Sequence, residues 1–138
     1  MDEIGRRAQA VIKAQMLPSL PLHSDWGVKN TRFRRDVICA VYDWDSLVAG
    51  SEAEMVGRAS VQFTAQWEFP ARLTPDTAEE AAFVSNYEEA RARPFSRVER
   101  QVVDAAATYA VAQIARLELA AGIERDDGFV AMLRARSL

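Results

Sequence analysis

The sequence predicts an α+β chain, mostly α, with several packed helices and one small β-hairpin. Three observations carry this. Apolar residues recur at helical spacing through most of the chain, capping signatures stand at Ser51, Thr77 and Ser96, and two short β-prone runs flank a two-residue turn at Arg35-Asp36.

The first predicted helix covers residues 2–16. Ile4, Ala8, Val11, Ile12 and Gln15 fall on one stripe, and Asp2 is placed to cap the start. Pro18 and Pro21 end it and force an extended Leu20-Pro21-Leu22 segment into His23. Strands are predicted at 31–34 and 37–42. The second, Val37-Ile38-Cys39-Ala40-Val41-Tyr42, is apolar on both faces and is expected to be covered on both sides. Cys39, the only cysteine, excludes an internal disulfide and is expected to be a small buried hydrophobe.

Everything after this hairpin is expected to be helical. Ser51-Glu52-Ala53-Glu54 has the pattern of a capping box and opens a helix carrying Val56, Ala59 and Phe63. A loop with Trp67, Phe69 and Pro70 follows. Thr77-Ala78-Glu79-Glu80 has the same pattern and opens a helix aligning Phe83, Tyr87 and Ala90. Pro94 breaks the chain, and Ser96-Arg97-Val98-Glu99 caps the longest helix. There Val98, Val102, Ala106, Ala110, Ile114, Leu117 and Ala121 repeat at helical spacing up to Gly122. Its many alanines imply close packing on a neighbour. Phe129, Met132 and Leu133 mark a short terminal helix.

The 138 residues suit a single domain, 1–138, and a hydrophobic content of 49% with 27% charged residues excludes a disordered chain. A net charge of −3 argues against nucleic acid or an anionic membrane surface as the main partner. The first residues lead into an amphipathic pattern rather than a signal peptide, and no apolar stretch approaches membrane-spanning length. The expected location is cytoplasmic.

The single histidine stands in the string His23-Ser24-Asp25-Trp26-Gly27-Val28-Lys29-Asn30, and thirteen residues after Asn30 the apolar strand ends in Asp43. H-x-D-x-x-x-x-N followed by an isolated Asp is the spacing of a kinase catalytic loop and its metal-binding Asp. The spacing matters because phosphoryl transfer needs mainly placement: a carboxylate at the attacking hydroxyl, and an amide and a carboxylate on magnesium. With 9 Asp and 2 Asn in 138 residues, an Asp at +2 and an Asn at +7 from a lone His coincide by chance in about one chain in a thousand.

The order helix, Leu-Pro segment, HSDWGVKN, hairpin, VYDWD and capped helix resembles the C-terminal lobe of aminoglycoside phosphotransferases and choline-kinase-like enzymes. That family reads H-G-D-x-x-x-x-N, then I-D-W, then a Gly-Asp-Pro turn opening a helix. His23, Asp25 and Asn30 match the first motif, Asp43 and Trp44 the second, and Gly50 the glycine of the third. Ser24 departs from the family's glycine, Ser51-Glu52 from its Asp-Pro, and Met55 from a later Asp. The likeness spans residues 17–60, and the helical remainder, 51–138, is compatible with it to about residue 121.

The resemblance implies a protein-kinase-like C-terminal lobe with a catalytic loop at 23–30. Asp25 would act on the proton of a small-molecule hydroxyl, and Asn30 and Asp43 would bind Mg2+ on ATP. His23 would hold the loop's shape. Lys29 is near enough to face a phosphate, though a solvated lysine is the simpler reading. Asp45 is expected to cap the next turn. Family members that act on aminoglycosides hold amines with acidic C-lobe residues, and Asp76, Glu79, Glu80, Glu88 and Glu89 cluster here. A solvated helix face is the simpler reading of that cluster.

The family also needs a glycine-rich loop over the phosphates and a strand lysine paired with a helix glutamate. The residues before His23 read as a helix and a linker, so the N-terminal nucleotide lobe is expected to be missing from this chain. The chain would then be weak or inactive alone, a catalytic-lobe fragment that docks a separate lobe or self-associates. Two alternatives stand beside this. One is a non-catalytic, pseudo-kinase interaction module. The other is a haloacid-dehalogenase-like phosphohydrolase, because Asp43-Trp44-Asp45-Ser46-Leu47 fits D-x-D-x-[ST]-[LV]. There Asp43 would be the nucleophile, Asp45 the general acid/base and Asp126-Asp127 a late metal-binding pair.

Overall fold

The structure is a computed structural model that describes residues 2–68, 71–123 and 125–136. Phe69 and Pro70 of the expected aromatic loop lie outside the described residues. The fold is α+β and mostly helical. Helix α1 spans Asp2–Ala14, ending two residues earlier than expected. Then come β1 (Leu20–His23), a single 3-10 turn (Val28–Asn30), β2 (Thr31–Arg34), β3 (Val37–Val41), a second 3-10 turn (Trp44–Ser46) and β4 (Leu47–Gly50). Helices α2 (Glu52–Gln62), α3 (Thr77–Ala90), α4 (Arg97–Ala120) and α5 (Phe129–Arg136) complete it.

The strands form two separate antiparallel pairs, β1 with β4 and β2 with β3, so the second hairpin is nested inside the first. Residues 47–50 were expected to be helical or turn, but they pair as a strand in the register Leu22↔Val48 and His23↔Leu47. Four residues are too few to show a period, and the Pro21 partner hides a strand from a propensity reading, since proline is tolerated only at a sheet edge. The β3 strand corrects a second expectation. No helix packs closely on it among the described residues, and Val37 and Ile38 are 66% and 40% exposed. Cys39 is therefore exposed, not buried. It is the extra residue of a bulge where Arg32 faces Ala40 and Phe33 faces Ile38, with its Sγ 3.3 Å from the Arg32 carbonyl.

Helix α4 is the axis of the helical part, and α1, α2 and α5 all pack on it. That explains why its buried residues run nearly all the way round, from Val102 and Val103 through Ala106, Ala107, Ala110 and Val111 to Ala115. Val98 and Leu117, expected on the apolar stripe, are exposed instead. One core cluster joins Val61, Leu73, Val111 and Phe129, and the other joins Val56, Val84, Phe95 and Val102. The alanines give the expected close approach. At Gly57 of α2, an added Cβ would lie 2.1 Å from the Val103 carbonyl oxygen and 3.0 Å from the Ala106 Cβ. Backbone cannot give way as a side chain can, so this helix crossing requires glycine.

The helix starts follow the capping signatures with one shift and one loss. Ser96 and Glu99 form the full reciprocal box. In α3 the cap is Asp76 with Glu79, one residue before the expected Thr77; an Asp carboxylate is a better acceptor for N-terminal amides than a Thr hydroxyl. At α2, Ser51 Oγ accepts from the Glu54 N–H at 3.2 Å, but the returning Glu54 bond is not made. Gly122, at φ +66, ends α4 as expected.

Gly57→Ala is expected to lower unfolding stability by about 2–3 kcal/mol, the cost of over-packing a rigid contact, measured by urea titration. A second expectation concerns acid. The Glu99 carboxylate is held down to about 2 from 4.5, first by the Ser96 backbone N–H, then by the Ser96 hydroxyl and Arg93. A depressed carboxylate stabilises the fold above its unfolded value and loses that effect as pH falls through the folded one. Wild type should therefore exceed Glu99→Gln by about 1 kcal/mol near neutrality, and the gap should close between about 4.5 and about 2.

Candidate functional site

The loops that connect the two hairpins, 24–30 and 42–46, lie against each other, and His23 joins them. Its ring is buried at 6% exposure, and Nε2 lies 2.8 Å from the Tyr42 carbonyl. A carbonyl only accepts, so Nε2 carries the proton. Nδ1 is buried with no partner. Trp26 and Trp44 meet the imidazole edge-on, each with ring centroids 6.0 Å away. The Ser24 N–H and hydroxyl both donate to the Ser46 carbonyl, at 3.0 and 2.8 Å.

The loop is also fixed to the end of α2. Gln62 Nε2 donates to the Ser24 carbonyl at 3.1 Å, and the Val28 N–H donates to the Phe63 carbonyl at 2.7 Å. Gly27 makes this approach possible, because a Cβ there would meet that same Phe63 oxygen at 3.1 Å. Loop 24–30 therefore rests on the helical core at one end and on the loop of Asp43 at the other.

Asn30 and Asp25 are directly linked. The Asn30 Nδ2 donates to the Asp25 carbonyl at 2.9 Å and to Asp25 Oδ2 at 3.0 Å. Lys29, expected to be solvated, instead pairs with Asp25 Oδ2 at 2.8 Å. With its amide nitrogen committed, Asn30 has Oδ1 as its remaining acceptor. The Tyr42 N–H donates to the Asn30 carbonyl at 2.8 Å, which sets Asn30 opposite the residue before Asp43.

Asp43 is exposed and left-handed, at φ 62 and ψ 47. Outside glycine that conformation is costly and tolerated best by Asn and Asp. Its carboxyl is held below the ordinary range, first by the Ser46 hydroxyl donating to Oδ2 at 2.6 Å and then by Asp45, with the nearby Lys29 ammonium adding a smaller effect. Asp43 is thus ionised, with Oδ1 free of the Ser46 bond. Trp44 is 60% exposed and donates its indole N–H to the Val41 carbonyl at 3.0 Å.

No group of three or more His, Cys, Asp or Glu side chains able to hold a metal occurs among the described residues. The donors available are the Asn30 amide oxygen and the Asp43 carboxylate, both hard oxygens. Both are of the oxygen type that Mg2+ takes, a cation that keeps several waters. Spacing alone did not reveal the parts played by Ser46, Gln62 or the buried side chain of Glu118. Ser46, three residues after Asp43, is legible only once the intervening turn is known.

The parallel strands that the dehalogenase-like reading needs do not occur among the described residues. Of its late pair, Asp127 is engaged elsewhere: it receives Arg125 through two bonds of 2.7 and 2.8 Å and caps the Leu73 N–H at 3.0 Å, while Asp126 is exposed. Four of the five acidic residues clustered on α3 are committed as well, and the fifth, Glu89, is exposed. Asp76 and Glu79 pair with Arg72, Glu80 with Arg136, and Glu88 with Arg100.

Asp25 lines a cavity of about 580 Å3 together with Lys29, Arg58, Gln62, Gln113 and Glu118. A larger cavity, about 830 Å3, lies among α3, α4 and α5 and includes none of Asp25, Asn30 and Asp43. Its Glu80 and Glu88 are the same carboxylates already held by arginines, while Asp104, whose carboxyl burial pushes up, and Asp126 also line it. No protein-family model, curated protein or solved structure matches this chain. No helix among the described residues is long and apolar enough to cross a membrane.

His23→Phe keeps an aromatic ring between the tryptophans but removes the N–H that meets the Tyr42 carbonyl. It is expected to cost about 1–2 kcal/mol. Amide hydrogen exchange should become faster at Asp43 and Trp44, while α4 keeps its wild-type protection.

Proposed function

We propose that this chain is the catalytic lobe of a small-molecule phosphotransferase, built like the C-terminal lobe of a protein kinase. The reading rests on one observation above the others: the Asn30 amide is turned by Asp25 so that its oxygen is left uncommitted, next to the loop that presents ionised Asp43. In this reading Asp25 orients the substrate hydroxyl and receives its proton, with Lys29 holding the carboxylate in place. Asn30 Oδ1 and the Asp43 carboxylate hold Mg2+. Bound Mg2+ would offset the charge on the nucleotide phosphates. His23 keeps the two loops together and touches neither substrate nor metal.

Residues 2–22 form α1 and an extended segment, not a glycine-rich phosphate loop. In this reading the described residues supply one wall of a nucleotide cleft, and another segment or lobe would supply the second. The 138-residue chain alone is expected to bind Mg-ATP weakly and to turn over little. Calorimetry giving tight Mg-ATP binding would overturn that expectation. Mn2+, used as a paramagnetic probe, should broaden the amide signals of residues 25, 30 and 43 selectively, and Asp43→Asn should abolish the effect. Uniform broadening, or none, would sink the phosphotransferase reading.

A second reading, a non-catalytic interaction module, draws on the apolar surface of the hairpins. Phe33, Val37, Trp44 and Val48 are 46%, 66%, 60% and 48% exposed, and large exposed apolar side chains are the material of interaction surfaces. Concentration-dependent sedimentation without the selective Mn2+ effect would favour it.

A further inference from the structure

We infer that the cavity beside Asp25 takes a hydroxylated small molecule bearing an oxyanion, a carboxylate or a phosphate, with Arg58 anchoring that group. The assignment of the hydroxyl to Asp25 rests on the phosphotransferase reading, while the anion site stands on Arg58 alone.

Arg58 sits on α2, half-buried, with its side chain on the wall of the 580 Å3 cavity. The other half-buried arginines each meet a carboxylate: Arg91 with Glu52, Arg100 with Glu88, Arg125 with Asp127 and Arg136 with Glu80. Arg58 meets none among the described residues. Its Nε–H is buried without an acceptor, a state that costs stability unless something supplies one. Tyr109 lies under the guanidinium at 6.0 Å, supporting it from one side only. A planar fork of donors with no internal partner matches two oxygens of an anion.

The rest of the cavity agrees. Lys29, Arg58 and Arg116 bring positive charge to it, against Asp25 and Glu118. Asp25 is already paired with Lys29, and Glu118 is 3% exposed, with Oε2 accepting the Val130 N–H at 3.0 Å and Oε1 buried without a partner. What remains open is cationic, in a chain whose net charge is −3. Gln62 and Gln113 add polar groups able to meet hydroxyls, and Trp67 supplies a flat apolar face. For an amine the cavity offers less: Asp25 is already paired with Lys29, and the one unpartnered carboxylate oxygen, Glu118 Oε1, lies on a side chain only 3% exposed.

The test is a titration of the isotopically labelled chain with four probes that share one ring: D-glucuronate, glucose 6-phosphate, D-glucosamine and D-glucose, each at millimolar concentration. The Trp67 indole N–H and the Arg58 Nε–H report on the cavity. One or both anions should shift them, while glucosamine and glucose should not; which anion binds more tightly separates carboxylate from phosphate. Arg58→Gln keeps the length of the stem and should weaken anion binding about tenfold or more, and Arg58→Lys should recover part of it. Arg97→Gln, removing an exposed arginine elsewhere, should change nothing. Glucosamine binding as well as the anions, no response to either anion, or anion binding indifferent to Arg58→Gln would each overturn the inference. Mn2+ broadening in the same samples separates the two readings. Anion binding without it keeps the Arg58 site and removes the phosphotransferase; broadening without anion binding does the opposite.

Discussion

The bond from the His23 ring to the Tyr42 carbonyl, 2.8 Å long, holds the region between the hairpins together. A hairpin nested within another leaves two loops with no core of their own, and a two-stranded sheet is marginal in water. The buried imidazole gives those loops a shared centre, with a tryptophan on either edge. From it the Ser24–Ser46 and Asn30–Tyr42 backbone bonds fix the relative height of Asp25, Asn30 and Asp43. The left-handed backbone at Asp43 is tolerable only because its surroundings over-determine it.

The helical half depends on a different constraint, the closeness of α2 to α4. Gly57 lets the two backbones approach, and the C-terminal end of α2 then falls where Gln62 and the Phe63 carbonyl can grip loop 24–30. Core packing and site geometry are thus coupled through one helix. Arg58, the residue after Gly57, is placed on the cavity wall by the same crossing.

The helices were legible because their signals are local. Ser96 and Glu99 lie within one turn of each other and make the bonds their spacing requires, and Gly122 stops α4 where no β-carbon must be accommodated. What was not legible depends on distant partners. The β4 strand exists because Leu47–Gly50 finds Leu20–His23 across a nested hairpin. The exposure of Cys39 and Val37 followed from there being no covering helix among the described residues, which an apolar run cannot announce. In the site, the H-x-D-x-x-x-x-N spacing pointed to Asp25 and Asn30, which do meet. Lys29 turning onto Asp25 and Arg58 arriving from a helix thirty residues later could not be read from that string.

The hairpin of β2 and β3 leaves each strand with one unpaired edge, and its apolar side chains face water. Such an edge is a template for another copy of itself. Arg32, Arg34 and Arg35 crowd one strand and the turn, all exposed and none in an ion pair with a described residue. Two molecules approaching edge to edge would bring like charges together before any backbone bond could form. The same strand that carries the site's aspartate to its turn is therefore guarded against aggregation by its partner's cations, and neutralising those cations would expose the solubility of the whole chain to the stickiness of a few residues.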